Sequence, residues 1–396
     1  MVVLIVKKSG KIIKNKMNKK ICLFHPWIKS KGGAERVVLE LMEKSKHKID
    51  LFTWFYDEEN TFSEFQKYKI NVIAPKFAGR FSRNYLTRSL VFILGMFKKI
   101  PLENYDKFLI STSGVGEFIT FRNYKKGQTY AYIHTPLRHA QKNIVGWNLE
   151  NKYKGNFLKK QIYLISVKIY KILEKIAWKR LDVVIFNSKL SKQRAEEHNL
   201  IKGKKTKIIH PPIERMKLKS KRENCFVYVS RLNEPKRQDI LLEVWKKFGK
   251  KYPDLKLLIV GTAENKKYFE KLKELATENV KIKTNVGNKE LKYILSNSKA
   301  GIFLGYQEDF GITPIQILLA GKPLIAVDEG GYVDLIKNHP QFYKIREKHN
   351  KEEMIIETEN VLERFMVNKT RKKGMNIKLK DFTKEMDKYL NEGGLV

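Results

Sequence analysis

The stretch SRLNEPKR, residues 230–237, places two cationic side chains around a proline-containing turn. Arg231 offers a planar guanidinium fork, and Lys236, five positions later, offers a point charge. Such a pair suits two adjacent phosphate groups, because the fork can bind one of them in a bidentate way while the ammonium group neutralises the other. The alternative is a solvated basic turn in a lysine-rich chain, and this stretch alone leaves both interpretations open.

A second stretch, EDFGITPIQ at residues 308–316, combines an acid with a turn that begins a helix. Glu308 can accept hydrogen bonds from a polyol, although an ordinary surface acid is the alternative. Thr313 before Pro314 predicts an N-cap followed by the first helical position, which would direct free backbone N–H groups, with Gly311 just ahead, at an anion or hydroxyl. Thr313 and Gln316 also have the spacing of a capping box, in which the amide of Gln serves as well as the carboxylate of Glu.

His134 is the third candidate, and it ends the apolar segment TYAYIHTP shortly before Pro136. A histidine at the end of a buried strand can face a ligand, because ligands of parallel sheets bind beyond the carboxyl ends of the strands. The alternative is a histidine that is only hydrogen-bonded within a loop.

Two series of strand-then-helix patterns must position these residues. In the first half, short apolar runs predict buried strands, and GGAERVVLELMEK predicts a helix. After Pro211 and Pro212, which exclude regular helix, the alternation restarts. The predicted strands are KKICLFHP, KIDLFTWF, INVIAP, KFLIST, TYAYIHTP and LDVVIFNS, then NCFVYVSRL, LKLLIVG, VKIKTNV, AGIFLG and KPLIAVD. This alternation indicates an α/β protein with two doubly wound, Rossmann-like sheets.

The length and composition of the chain agree with the prediction of two Rossmann-like sheets. A chain of 396 residues exceeds the size at which one core keeps growing, so two domains are expected. The 80 Lys and Arg against 42 Asp and Glu give a net charge of +38, which attracts anions of every kind. No apolar run near the start reaches the ~20 residues of a bilayer span, so we expect neither a signal peptide nor a transmembrane helix. Cys22 and Cys225 lack metal-site spacing and indicate a reduced, cytoplasmic protein.

Six segments in register are similar to the family-4 glycosyltransferases, which have the two-domain GT-B fold. Glu308 to Gln316 resembles that family's E-x7-E motif, and SRLNEPKR resembles its diphosphate clamp. The other four segments are GGAERVVLEL (32–41), YIHTPLR (132–138), DVVIFNS (182–188) and AGKPLIAVDEGGYVDLI. The resemblance implies two Rossmann-like domains facing a central cleft, and transfer of a sugar from a nucleotide-diphosphate donor to an acceptor hydroxyl with retention of configuration.

The resemblance also assigns roles to individual residues. Arg231 and Lys236 would bind the donor diphosphate and stabilise its departing charge. Glu308, helped by the backbone N–H groups of Phe310 and Gly311, would hold the hydroxyls of the transferred sugar.

In the same family pattern, Gly32 and Gly33 would let the backbone approach the phosphates, and His134 would lie beside the reacting sugar. Gln316 stands where the family usually has a Glu that accepts from both ribose hydroxyls, so donor binding is expected to be modestly weaker. No D-x-D pair is present in the sequence, and neither a metal nor another cofactor is expected.

The family pattern also divides the chain. We expect an acceptor-binding domain over residues 1–208, a linker over 209–221, a donor-binding domain over 222–375, and a C-terminal helix over 376–396 that crosses back to the first domain. Met17 is a second start candidate, so residues 1–16 are expected to be a tail or an upstream mis-start.

Two stretches that combine basic and apolar residues indicate what kind of acceptor the protein could reach. One surrounds the apolar run 90–97, and the other, 138–180, carries eleven Lys and Arg against Glu150 and Glu174. The second stretch has six apolar side chains at helical spacing: Leu158, Ile162, Ile165, Ile169, Ile172 and Ile176. We expect both apolar faces to pack on the N-terminal sheet and to leave basic outer faces. Such faces would suit an anionic membrane and a lipid-linked acceptor, at the cytoplasmic side.

Several alternatives stay open. The candidate acceptors are a glycan, a lipid-linked sugar and, as in sucrose- and trehalose-type synthases, a soluble sugar. GDP-mannose is the preferred donor and a uridine-linked hexose is second. A donor-binding subunit without activity is a further class. A nucleic-acid-binding protein is disfavoured, because no zinc finger, helix-turn-helix or aromatic-basic pattern is present.

Overall fold

The computed structural model describes residues 18–73, 93–214, 223–263, 265–368 and 376–392. The chain divides into two compact units. The first comprises Met1–Pro212 together with Lys380–Val396, and the second comprises Ile213–Leu379. The predicted tail 1–16 and part of the predicted linker lie outside the described residues.

The first unit is built on a seven-stranded parallel sheet of order β5-β3-β1-β6-β7-β8-β9. The neighbouring strands β6, β7 and β8 are buried at every residue, because both faces of the sheet are covered. A two-stranded ribbon, β2 with β4, stands beside it. The strands are β1 Lys20–Phe24, β2 Trp27–Ile28, β3 Lys48–Thr53, β4 Phe55–Tyr56, β5 Ile70–Val72, β6 Lys107–Thr112, β7 Thr129–Ile133, β8 Val183–Phe186 and β9 Lys205–Ile208.

Helices cover both faces of this sheet. The last helix of the chain belongs to this unit, where the Asp387 carboxylate accepts from the Ser45 hydroxyl at 2.6 Å and from the Lys46 N–H at 2.9 Å. Phe382 packs edge-on against Tyr132 of β7. The helices are α1 Gly33–Lys44, α2 Lys142–Asn151, α3 Phe157–Lys179, α4 Lys189–Glu197 and, at the C-terminus, α11 Phe382–Glu392.

The second unit has a six-stranded parallel sheet of order β12-β11-β10-β13-β14-β15. In chain order this is 3-2-1-4-5-6, the order of dinucleotide-binding Rossmann folds. The strands are β10 Cys225–Val229, β11 Lys256–Val260, β12 Val280–Lys283, β13 Ala300–Phe303, β14 Leu324–Val327 and β15 Phe342–Ile345. The helices are α5 Gln238–Lys251, α6 Lys266–Leu275, α7 Asn288–Asn297, α8 Ile312–Leu319, α9 Val333–Ile336 and α10 Lys351–Val367.

The order of strands reverses at one point in each sheet. In the first unit it reverses between β1 and β6, and in the second between β10 and β13. Loops that follow two such neighbouring strands run to opposite faces of the sheet, which leaves a crevice at the carboxyl edge. The candidate loops after β10 and after β13 therefore meet at the crevice of the second unit.

Every strand predicted from the sequence is present, and so are the two Rossmann-like sheets. The two-residue strands β2 and β4 and the edge strands β9 and β15 were not predicted. Strands β9 and β15 are four-residue segments at the edges of their sheets, KTKI and FYKI, and such short segments that contain Lys resemble loops in a lysine-rich sequence.

The predicted packing of the apolar stripe of α3 is wrong. All six of its members are exposed, from 41% at Ile176 to 69% at Leu158. The opposite side of the helix faces the unit instead, where Val167, Glu174 and Trp178 are buried. In the other predicted stretch only residues from 93 onward are described, and there Ile93 and Phe97 are 48% and 56% exposed.

Candidate functional site

The loops after β10 and β13 are tied together by Tyr228, a fully buried side chain of β10. Its hydroxyl donates to the Lys236 carbonyl of the first loop and accepts from the Leu304 N–H of the second at 3.0 Å. The Tyr306 N–H adds a bond of 2.9 Å to the Pro235 carbonyl. The two loops are therefore held as one body at the crevice.

Lys236 and Glu308 form an ion pair across these loops. Their side chains are only 12% and 23% exposed, and the Lys236 ammonium lies 5.6 Å from the centre of the Phe303 ring. A cation and an acid thus adjoin at the place where a Rossmann-like sheet binds its ligand. The ammonium group can neutralise a phosphate, and the carboxylate can accept hydrogen bonds from hydroxyl groups.

The Glu308 loop requires glycine at Gly311. Gly311 has φ +82°, and a Cβ there would stand 2.5 Å from Tyr332 Cδ1 and 3.2 Å from Glu308 Cγ. The Gly331 N–H donates to the Glu308 carbonyl at 2.9 Å and fixes the acid from its backbone side. The neighbouring Phe310 is buried, so its ring supports the loop from the core.

The predicted helix start at Thr313 is wrong. Helix α8 begins at Ile312 with Gly311 as its N-cap, and no side chain caps it. Because Gly311 adopts a left-handed conformation, the chain turns into the helix two residues earlier than predicted. Thr313 is therefore the second helical residue, and Gln316 lies too far along the helix for a capping box. Gln316 is half-buried on the second turn.

Arg231 lies at the start of the first loop, and it is exposed. Its carbonyl accepts from Gln238 Nε2 at 2.8 Å, and the same amide donates to Ser230 Oγ. The backbone of the basic turn is thus fixed by a buried glutamine at the start of α5. The structure places Arg231 and Lys236 at opposite ends of one ordered loop.

A second cation of this turn, Arg237, was not predicted to matter. It binds Glu347 with two hydrogen bonds of 2.8 and 2.9 Å, and its guanidinium lies 4.6 Å from the centre of the Tyr306 ring. Arg237 also has φ +55° and precedes α5 directly. Arg237 therefore links the basic turn to the segment after β15. In the sequence, its only signal is its position next to Lys236 in EPKR.

In the first unit, His134 is buried at the end of β7 and joins a chain of three polar side chains. Its Nε2 lies 2.9 Å from the Ser111 hydroxyl of β6. His25, at the end of β1, places Nδ1 3.1 Å from both the carbonyl and the hydroxyl of Ser111. Because the carbonyl can only accept, Nδ1 of His25 is its protonated nitrogen. His25 also precedes a proline after a strand, a signal that the sequence analysis applied only to His134.

Burial keeps both histidines neutral. It lowers the pKa of His134 to about 3, helped by the nearby His25 and Arg138. Burial also lowers the pKa of His25. His134 can therefore offer a neutral imidazole to a ligand, but it does not carry a positive charge near neutral pH.

Gly32 and Gly33 begin α1, with Gly32 as its N-cap. A Cβ on Gly32 would stand 2.4 Å from the Glu35 carboxylate, which also accepts from the Ser30 hydroxyl at 2.8 Å. This carboxylate lies at the positive end of the helix, where a phosphate would otherwise be favoured. The glycine pair thus makes room for an acid of the chain itself.

The described residues contain no group of three or more His, Cys, Asp or Glu side chains that could hold a metal ion. Within them, too, no helix has the length and apolar character needed to cross a membrane. Lys236, Glu308, Phe310 and Gly311 are brought together in the second unit, while Gly32, Gly33 and His134 lie in the first.

Comparison with known proteins gives the class. Residues 211–372 match the family model described as glycosyl transferases group 1. A human GDP-Man:Man(3)GlcNAc(2)-PP-Dol alpha-1,2-mannosyltransferase is 22% identical, over 85% of this chain and 79% of that protein. The alpha-1,3/1,6-mannosyltransferase ALG2 of Kluyveromyces lactis is 21% identical, over 81% of this chain and 72% of that protein.

A solved structure agrees at the level of the fold. HepE of Anabaena in complex with UDP and glucose has a TM-score of 0.59 at 16% identity, covering 88% of this chain and 91% of that one. The protein is therefore a glycosyltransferase with the GT-B fold. Its residues 211–372 match the model of the group 1 glycosyltransferases, and this match agrees with the sequence resemblance.

Proposed function

We propose that this protein is a retaining hexosyltransferase that moves mannose from GDP-mannose to a hydroxyl of a glycan or lipid-linked acceptor. The observation that carries the proposal is the Lys236–Glu308 pair at the crevice of the second sheet. The printed activities of the two mannosyltransferase relatives support the choice of sugar.

In this proposal Lys236 and Arg231 bind the donor diphosphate, and Glu308 accepts from hydroxyls of the sugar. Backbone N–H groups of Phe310 and Gly311 assist it. The bond between the anomeric carbon and the diphosphate oxygen breaks, a bond to the acceptor oxygen forms on the same face, and the acceptor's proton passes to the departing diphosphate. The two cations neutralise the growing negative charge, so the proposal needs no metal ion.

The first unit contributes His134 to the proposal, whereas Gly32 and Gly33 make room for the Glu35 carboxylate and are given no phosphate to bind. His134 offers its neutral imidazole as a hydrogen-bonding group beside the sugar, while Ser111 fixes the ring. Gln316 takes the place of an acid toward the donor ribose. An amide has one acceptor oxygen where a carboxylate has two, so donor binding is modestly weaker and turnover is retained.

Thermal stabilisation by nucleotide sugars tests the donor. GDP-mannose at 100 times its dissociation constant should stabilise the protein by ~2.7 kcal/mol. Lys236→Met should abolish that shift, whereas Lys251→Met, which alters an ion pair at the exposed end of α5, should keep it. Stabilisation by duplex DNA and by no nucleotide sugar would overturn the proposal.

Three alternatives differ from this proposal in an observation that supports them or in a result that would identify them. A uridine-linked hexose is the second donor, because HepE was solved with UDP and glucose. A donor-binding subunit without activity would be stabilised by the donor yet transfer no sugar to any acceptor extract. A synthase for soluble sugars would transfer without added lipid.

For the acceptor side we propose that α3 docks on an anionic membrane at the cytoplasmic face. Its exposed stripe is flanked by exposed lysines, and its one acid, Glu174, is buried. The flanking lysines are Lys159, Lys160, Lys168, Lys175 and Lys179. An apolar face beside cations, on a chain of net charge +38, fits a negatively charged bilayer better than a second copy of the same basic surface.

Vesicle sedimentation tests this surface. Binding should require anionic lipid and weaken as the salt concentration rises. It should fall in the double variant Ile165→Ser/Ile169→Ser. Ile356 of the second unit is similarly exposed, so Ile356→Ser is the control and should leave binding unchanged. Equal binding to neutral and anionic vesicles would refute the docking proposal. A wild-type dimer that dissociates in the double serine variant would also refute it.

A further inference from the structure

Two glutamates of the first unit are completely buried, although the group 1 resemblance assigns neither a role. Glu117 lies on the short turn of 3₁₀ helix after β6, and Glu174 lies on the inner side of α3. Both have no exposed surface. A buried carboxylate is costly unless it is neutralised or fully hydrogen-bonded, so the surroundings of the pair decide its charge.

Each carboxyl uses one oxygen toward the protein. Thr112 Oγ1 donates to Glu117 Oε2 at 2.5 Å. The Leu137 N–H and Trp178 Nε1 donate to Glu174 Oε1 at 2.9 and 3.3 Å. The remaining oxygens, Glu117 Oε1 and Glu174 Oε2, are reached by no donor within the described part of the chain.

The short 3₁₀ turn that carries Glu117 packs against α3, which carries Glu174, and both side chains are buried. Two carboxylates are acceptors only, so a hydrogen bond between them requires that one of them carries a proton. Consistently, burial and the neighbouring Glu117 raise the pKa of Glu174 well above its usual range. One proton shared by the pair would give a partner to the two oxygens that lack another donor.

The pair supports the segment that follows His134. Leu137 has φ +47°, a conformation that is unfavourable for a leucine, and its N–H is held by Glu174. Gly114 fits under the same segment, since a Cβ there would stand 2.9 Å from the Arg138 nitrogen and 3.2 Å from the Tyr170 hydroxyl. Tyr170 donates to the Gly114 carbonyl.

We propose that Glu117 and Glu174 share one proton and act as positioning residues that hold the segment 135–140 after His134. The pair thereby connects the inner side of α3 to the segment at the carboxyl end of β7. Only the consequence of this role for catalysis rests on the proposed function. The other titratable or charged groups at this cluster are Tyr170 of α3 and Arg138 and His139 of the held segment.

The shared proton makes the stability of this unit fall with rising pH. In the unfolded chain Glu174 titrates near 4.5, and in the folded chain its pKa is higher. Between these values the folded state binds more protons, so the stabilisation is complete below 4.5 and is lost as pH rises through the folded pKa.

Infrared spectroscopy of the full chain tests the proton directly. At pH 7 the wild type should show the C=O stretching band of a protonated carboxylic acid. Glu174→Gln and Glu117→Gln should each lose the band, because an amide N–H₂ replaces the shared proton and the partner ionises. Glu196→Gln, at an exposed carboxylate of α4, should keep it. A wild type without the band, or a band that persists in both single variants, would overturn the proposal.

Hydrogen exchange tests the positioning, and it does not depend on activity. Glu174→Gln retains an oxygen for the Leu137 N–H, so exchange over 135–140 should stay within about twofold of wild type. Glu174→Met removes that acceptor, and exchange there should rise at least about tenfold. Equal exchange in the Gln and Met variants would refute the positioning role. If no nucleotide sugar stabilises the wild type against thermal unfolding, only the proposed function is refuted, and the positioning role is not.

Discussion

Breaking the Lys236–Glu308 pair from either side separates a structural ion pair from a catalytic one. The pair is 12% and 23% exposed, so removing one member strands a largely buried charge. Fully buried pairs lose about 3–5 kcal/mol in this way. Because Glu308 retains contact with water, we expect Lys236→Met to lower the free energy of unfolding of the second unit by about 2 kcal/mol, and Glu308→Gln by about 1 kcal/mol.

The double variant should recover part of that loss, because no unpaired charge remains. We expect a coupling energy of about 1–2 kcal/mol from the thermodynamic cycle, measured by urea unfolding. Lys251→Met is the matched control. Its partner Glu363 and the lysine itself are 27% and 60% exposed, so water screens the pair and the free energy of unfolding should stay at the wild-type value.

Turnover should not follow stability. If Lys236 neutralises the departing diphosphate, Lys236→Met should lower kcat by about 10²–10³, as does loss of a single group that stabilises transition-state charge elsewhere. The double variant should stay as slow as the slower single variant. A double variant that regains both stability and wild-type turnover would show that the pair only holds two loops together, and the donor site would have to be sought elsewhere.

Four further results are expected. Arg231→Ala should lower turnover more than it weakens donor binding, and unchanged turnover would make the segment a simple basic turn. Gln316→Glu should lower the Michaelis constant for the donor with little change in turnover, and no transfer by either form would indicate an inactive site. Gly311→Ala should cost about 1–3 kcal/mol in calorimetry, because of its φ of +82° and the Tyr332 ring, and a neutral result would refute the strain argument. The ring protons of His134 should not titrate in NMR spectra between pH 5 and 8. Because the pKa of His134 is about 3 in the folded chain and 6.5 in the unfolded chain, its contribution to stability is present above pH 6.5 and is lost as pH falls toward 3. A titration midpoint near pH 6 in the NMR spectra would contradict the burial of the ring.

The sheets could be predicted because each strand carries its own signal. A run such as VVIF at 183–186 is apolar at every position, and only a strand covered on both faces accommodates it. Lys236 and Glu308 could be predicted to meet for a similar reason, since each follows a strand and neighbouring carboxyl ends share one edge. Arg237 and Glu347 could not be paired in advance, because nothing local links a turn after β10 to a segment after β15.

The start of α8 shows a different limit. Thr313 and Pro314 have the residue types of an N-cap and a first helical position, so the local statistics favour a start at Thr313. Gly311 provides another start, because its left-handed backbone turns the chain without a capping side chain. The choice between them is made by Tyr332, whose ring fills the space beside Gly311 and is contributed by a distant loop.

The orientation of α3 could not be predicted for a reason that lies in Glu174. Helical spacing reveals an apolar stripe, but it does not show which side of a helix meets the sheet. A charged residue normally marks the solvent side, so Glu174 directs the prediction toward burying the isoleucines opposite it. That inference assumes an ionised glutamate. If Glu174 shares a proton with Glu117, the pair carries one charge fewer and each carboxyl has a donor, so the cost that would have kept the acid in water falls. The isoleucine stripe is then left outside, and whether it meets a bilayer depends on a partner acid that the sequence of the helix does not contain.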